Sequence, residues 1–194
     1  MKKYLLLAAT LAVSTGYGQS WTKQYSYVDE FRCGLAQVEK GGKHGFVDKT
    51  GKLALALKYD EALSFQEGMA AVKWDGKWGY VDSTGKEVVA AQYDEAFSFN
   101  EGLAAVSKDG LYGFIDNSGA VVIALQYQGV SSFSEGLAAV GNKRGHYGFI
   151  DKKGREVIAC KYSYAKSFTD GQAKVMLNDK WLLIDATGKV VKND

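Results

Sequence analysis

Proline is absent from this 194-residue chain, so no rigid proline-rich linker divides it into parts. Cysteine is scarce: Cys33 and Cys160 are the only two, too few for a disulfide-dense scaffold. The two histidines, His44 and His146, stand in no zinc-type spacing. There is no Gly-x-Ser-x-Gly elbow and no phosphate-cradling loop. These absences leave no nucleophile, base and orienting partner in evident company, so the sequence reads as non-enzymatic, with no cofactor and no metal.

Long hydrophobic runs are also missing. The stretch from Tyr4 to Val13 is too short to span a bilayer as a helix. Lys2 and Lys3 precede it, and Ser14, Thr15 and Gly16 follow. With Gly16 and Gly18 as small residues before the cut, residues 1–18 read as a Sec signal peptide cleaved before Gln19. The expected location is secreted or in the periplasm or outer envelope of a bacterium, with no membrane insertion after cleavage. Without Lys2 and Lys3 the chain carries 22 basic and 22 acidic residues. A neutral chain with no basic stretch lacks the electrostatic footprint for nucleic acid or an anionic membrane.

What fills the chain is one repeat. Units open at Gly34, Gly68, Gly102, Gly136 and Gly171, spaced 34, 34, 34 and 35 residues apart. A partial unit, 25–33, precedes them, because Tyr25, Phe31 and Gly34 align with Tyr59, Phe65 and Gly68. Residues 19–24 read as a short lead-in, and 25–194 as a single repeat domain. A fixed period of this size marks a supersecondary block that buries its apolar face against its neighbours.

In the second copy, residues 69–74 and 77–82 flank Asp75-Gly76, a hairpin signal of the type I′ class. The third copy has Asp109-Gly110, the first Gly41-Gly42 and the fifth Asn178-Asp179, while the fourth inserts its one extra residue at the tip, 141–146. Every copy then carries Asp-x-x-Gly, beginning at Asp48, Asp82, Asp116, Asp151 and Asp185. This predicts a type I turn with a bulge, followed by a third strand such as 87–93. The stretch from tyrosine to phenylalanine, as in 59–65, reads as a folded connection too short for a stable helix. The prediction is an all-β tandem array of about five three-stranded units of about 34 residues, open and solenoid-like. A five-bladed β-propeller closed by the N-terminal segment is the alternative.

Written out, residues 77–106 resemble the WG (or KWG) repeat family, and the likeness runs over residues 25–194. The pair stands as Trp78-Gly79, becomes Tyr112-Gly113 and Tyr147-Gly148, and weakens to His44-Gly45 and Trp181-Leu182. Where the family usually has proline before the third-strand tyrosine, this chain has Leu57, Ala91, Leu125 and Cys160. The resemblance implies a scaffold without a shared activity.

Three sets of residues are candidate sites. The recurrent aspartates are more simply turn formers than calcium ligands, since each begins its turn without neighbouring carboxylates. The aromatic slot of Trp78, Tyr112, Tyr147 and Trp181 is either core or a stripe for glycan or extended peptide. Lys143, Arg144 and His146, at the enlarged tip, form the most distinctive local cluster. The sequence therefore reads as an exported non-catalytic scaffold for protein–protein or cell-surface interaction. A carbohydrate-binding module using the aromatic slot and a structural envelope component are the alternatives; the partner is an unknown protein or glycan.

Overall fold

The computed structural model describes residues 20–193, with side chains to Val191; the leader and its cleavage site lie outside the described residues. Five antiparallel sheets follow one another along the chain. The first holds β1 (Tyr27–Val28), β2 (Ala36–Lys40), β3 (Lys43–Val47) and β4 (Leu53–Tyr59). The second holds β5 (Glu61–Ala62), β6 (Met69–Trp74), β7 (Lys77–Asp82) and β8 (Glu87–Tyr93), and the third β9 (Glu95–Ala96), β10 (Leu103–Lys108), β11 (Leu111–Asp116) and β12 (Val121–Tyr127). The fourth comprises β13 (Gly129–Val130), β14 (Leu137–Gly141), β15 (Tyr147–Asp151) and β16 (Glu156–Tyr162); the fifth β17 (Tyr164–Ala165), β18 (Gln172–Leu177), β19 (Lys180–Asp185) and β20 (Val190–Asn193). Each sheet is a simple meander, here called a blade.

The units are thus four-stranded, where the sequence predicted three. The extra strand is the two-residue piece after each tyrosine, paired as Glu61 with Lys73 and Ala62 with Val72. It is short because Gln66 and Met69 bridge directly across a second two-residue turn, Glu67-Gly68. Glu67 has φ +52° and Gly68 +80°, the pair of positive values a type I′ turn demands. Asp75-Gly76 has the expected form, with φ +51° and +76°. Asp-x-x-Gly also folds as expected: Asp82 Oδ1 accepts from the amides of Thr84 and Lys86, at 2.9 and 3.1 Å.

Alternate residues of the two central strands face neighbouring blades. Ala70, Val72 and Val81 pack back against Phe46, Leu55 and Tyr59 of the first blade. Met69, Ala71, Trp78 and Tyr80 pack forward with Phe99, Val106 and Ile115 of the third. Each of the four junctions carries a ring pair, Phe46–Phe65, Tyr80–Phe99, Phe114–Phe133 and Phe149–Phe168, with centroids 4.7 to 5.0 Å apart. Such pairs add about 0.5–1.5 kcal/mol beyond burial. A ladder of carboxylates binds the last three of these junctions: Glu67 accepts from the amides of Glu101 and Gly102, Glu101 from Gly136, and Glu135 from Gly171.

No sheet is closed into a ring. β1 pairs with β2 inside the first blade and does not complete the fifth. The backward face of the first blade is covered by Trp21 and Tyr25, which pack with Val28, Phe31, Ala36, Val38 and Val47. Trp21 lies in the 3-10 turn Ser20–Gln24. On the forward face of the fifth blade, Gln172 and Lys174 replace the Met69/Leu103 and Ala71/Ala105 of other blades. Met176, Trp181 and Leu183 share that face, so it is only part polar.

Candidate functional site

The glycine of the Trp-Gly pair is set by the strand beside it. Trp78 pairs with Tyr93 and Tyr80 with Val89, so β8 carries two extra residues opposite Gly79. The bulge presses its backbone onto the position a Cβ would take: at Gly113 that atom would fall 2.5 Å from the Ile123 carbonyl oxygen, and at Gly45 2.7 Å from that of Leu55. In the fifth blade Leu182 pairs with Asn193 and Leu183 with Lys192, with no bulge over residue 182. A side chain fits there, and Leu182 occupies the place.

The aromatic slot is not one continuous surface. Trp78 is 8 % exposed and sits in the core between the second and third blades, with Lys73 Nζ 5.8 Å from its ring. Tyr112 is half-buried and donates to Glu95 Oε2 at 2.7 Å. Burial and then the Glu95 carboxylate push its phenol up to about 12. His44 Nδ1 lies 2.8 Å from Gln37 Nε2. Tyr147 and Trp181 are also half-buried, and both have Tyr164 as an aromatic neighbour, at 6.4 and 5.7 Å.

These side chains belong to cross-strand rows on the forward face of each blade. In the second the row is Glu61, Lys73, Trp78, Tyr93, and Lys73 and Glu61 are ion-paired at 2.7 Å. In the third it is Glu95, Ser107, Tyr112, Tyr127. The fourth blade breaks the pattern with Gly129, Gly141, Tyr147, Tyr162. With no side chain at Gly129 or Gly141, the Tyr147 side chain lies down over both: a Cβ at Gly141 would fall 3.1 Å from its ring, and one at Gly129 3.1 Å from its hydroxyl oxygen. The adjoining slot, filled by Leu63 and Phe97 in the second and third blades, holds Ser131 in the fourth.

Those three small residues open a cleft of about 550 Å³ between the fourth and fifth blades. Tyr147, Ser131 and Ala139 line one side; Tyr164, Lys166, Ser167 and Thr169 line the other. Ser131 is used internally, accepting from the Ala139 amide at 2.9 Å. Among the described residues the hydroxyls of Tyr147, Tyr164, Ser167 and Thr169 and the ammonium of Lys166 have no hydrogen-bond or ionic partner. The tip residues were visible in the sequence as departures, but Gly129 and Ser131 were not, since their meaning depends on the row and slot they occupy.

The tip next to this cleft has a definite form. Asn142 Oδ1 accepts from the amides of Arg144 and His146, and Gly145 donates back to the Asn142 carbonyl. That is the Asp-x-x-Gly pattern with Asn at its head, so one inserted residue converts a type I′ tip into the turn used elsewhere in every blade. Lys143, Arg144 and His146 are exposed, and neither cation has an ion pair among the described residues.

Cys33 is exposed and Cys160 half-buried, and both are free. Cys160 packs against the core between the third and fourth blades, and burial pushes its thiol up.

Five blades built around Trp/Tyr-Gly pairs and Asp-x-x-Gly turns define a β-repeat scaffold of propeller-like blades. The profile of the WG containing repeat family matches residues 22–43, 45–78, 78–112, 112–143 and 147–181, and the chain belongs to that family. The break between 143 and 147 falls at the enlarged tip. No curated protein matches the sequence. Among solved structures, BamB from Moraxella catarrhalis is 14 % identical, with a TM-score of 0.52 over 87 % of this chain and 63 % of that one. Hsv2 from Kluyveromyces lactis is 11 % identical, with a TM-score of 0.56 over 82 % of this chain and 59 % of that one. The chain therefore spans less than two thirds of the length of these structures. At this identity the likeness is one of fold: both neighbours are β-propellers, and the five blades stack as a partial arc of such a ring.

Proposed function

We propose that this protein is an exported, non-catalytic scaffold that engages a protein partner through the tip of its fourth blade. The observation that supports the reading is that Lys143 and Arg144 are exposed without an internal ion pair, on the one hairpin that departs from the period. Unpaired cations on a rigid hairpin give orientation and on-rate toward an acidic protein surface. Repeat arrays commonly use such positions, since the shared residues are occupied in stacking. Export is part of the proposal and rests on the charged and apolar pattern of residues 2–18.

The test places a photo-crosslinking amino acid at position 128 of the full chain, whose amide bonds the Gly141 carbonyl beside the tip, in the producing cell. A discrete cross-linked protein that disappears when residues 143–145 are replaced by Asp-Gly, at unchanged thermal stability, supports the reading. Cross-links that survive the replacement refute it. N-terminal sequencing of the accumulated protein checks export, with Gln19 as the expected first residue.

A further inference from the structure

The cleft between the fourth and fifth blades is a separate feature from the tip, and its chemistry selects a different kind of ligand. Its walls combine two exposed or half-exposed tyrosine rings, Tyr147 and Tyr164, with the uncommitted hydroxyls of Ser167 and Thr169. Lys166 is the only charged residue among those lining it, and no carboxylate is present. An amine or a metal ion would find no counter-charge there. A neutral or anionic ligand would, if it offered an apolar face to the rings and hydroxyls to the rim.

An extended peptide fits less well. The adjoining strand, Tyr164–Ala165, is two residues long, too short an edge for the main-chain ladder by which peptides add to sheets. The volume, about 550 Å³, falls within the range of small-molecule sites, about 300–1,000 Å³. The cleft also arises from substitutions that the fold does not ask for. Blade three shows the ordinary state, with Tyr112 donating to Glu95 and Phe97 packed against the Tyr112 ring at 6.4 Å. Gly129 removes the acceptor and Ser131 removes the packing ring, which frees the Tyr147 hydroxyl and the space beside it.

We propose that this cleft is a saccharide site that takes one acidic sugar residue, its ring against Tyr164 and Tyr147 and its carboxylate toward Lys166. The rings supply flat apolar contact for the axial C–H face of a pyranose. The free hydroxyls of Ser167, Thr169 and Tyr147 exchange water for sugar hydroxyls, and Lys166 makes the charge-assisted bond. Of the repeated aromatic slot only Tyr147 lines the cleft: Trp78 is core, and Tyr112 is committed.

The test is calorimetry on the full chain with two probes, trigalacturonate and neutral maltotriose, after a glycan array. Trigalacturonate should bind, and Lys166→Gln should weaken it roughly tenfold, the effect of losing one charge-assisted bond. Ser131→Leu puts the second blade's Leu63 at the matching position and fills the cleft, and Tyr164→Glu puts Glu61 there and removes a ring. Each should abolish measurable binding in a chain that still unfolds cooperatively. Replacing residues 143–145 by Asp-Gly should leave sugar binding intact, which separates this site from the proposed protein-binding tip. The proposal is overturned if no acidic glycan binds the wild type, if both of these variants bind as the wild type does, or if Lys166→Gln leaves trigalacturonate affinity unchanged. Binding of maltotriose equal to that of trigalacturonate overturns the acidic assignment.

Discussion

The Trp21 ring lies against Gly51 as the Leu55 side chain lies against Gly85: a Cβ built on Gly51 would fall within the indole, 2.6 Å from Cδ1. The same relation recurs at Gly119 with Val89, Gly154 with Ile123 and Gly188 with Ile158. Trp21 thus stands where a preceding blade would place the aliphatic residue of its last strand, although it comes from a 3-10 turn. Covered in this way, the first blade needs no contact from the fifth.

Trp21→Ala should accordingly uncover Val47 and Val38 and destabilise the chain by about 3 kcal/mol, the usual cost of removing a large aromatic from a packed site. Amide exchange should quicken first in β2 and β3 and least in the fifth blade, because a stack transmits stability only between neighbours. Uniform acceleration across all five blades would contradict an open array.

The two kinds of glycine should respond differently. Gly113→Ala forces a methyl onto the Ile123 carbonyl oxygen and should cost about 3 kcal/mol in urea unfolding. Gly110→Ala meets open space and only a positive φ of 74°, so about 1 kcal/mol is expected. Leu182→Ala, at the blade where the bulge is missing, should give no clash signature: crystal packing of β19 against β20 should be unchanged.

Acid should weaken the fold through the turns and the carboxylate ladder. Asp48, Asp82, Asp116 and Asp185 are held below the usual carboxylate range by the neighbouring hydroxyl and amides, and Asp151 by Arg155 and its amide. Burial alone would raise Glu101, but Lys152 and the Gly136 amide outweigh it and hold it low. Depressed folded values mean that this stability is fully present above the unfolded carboxylate values, near 4, and is lost as pH falls through the lower folded ones. Melting temperature should therefore be flat from pH 7 to about 5 and fall below about pH 4. Glu101→Gln should shrink that fall.

Tyr112 offers a spectroscopic check of the row geometry. Glu95→Gln removes the carboxylate charge that helps hold its phenol up at about 12. One tyrosinate should then appear at lower pH in ultraviolet titration. An unaltered titration would show that Glu95 does not face the ring.

Periodicity made the array, the paired hairpin turns and the Asp-x-x-Gly bulges legible, because each depends on residues close in sequence: two positive-φ positions, or an aspartate reaching amides two and four residues on. The fourth strand was not legible. Glu61-Ala62 carries no strand pattern of its own and is extended only because Lys73 and Val72 lie opposite. The site was legible only in part. The tip residues stood out as departures from the repeat, while Gly129 and Ser131 looked like ordinary drift.

The sequence by itself determined that there are five blades, where each turns, and which faces are apolar, since local backbone preference and a period of 34 residues leave little choice. Tertiary structure decided the rest. It set why the Trp-Gly pair needs its glycine, through a bulge in a strand about ten residues further on, and it left the array open, through Trp21 in the position of a missing neighbour. It also turned three small residues in the fourth blade into a cleft, because a void exists only relative to the side chains that fill the same place in the other blades.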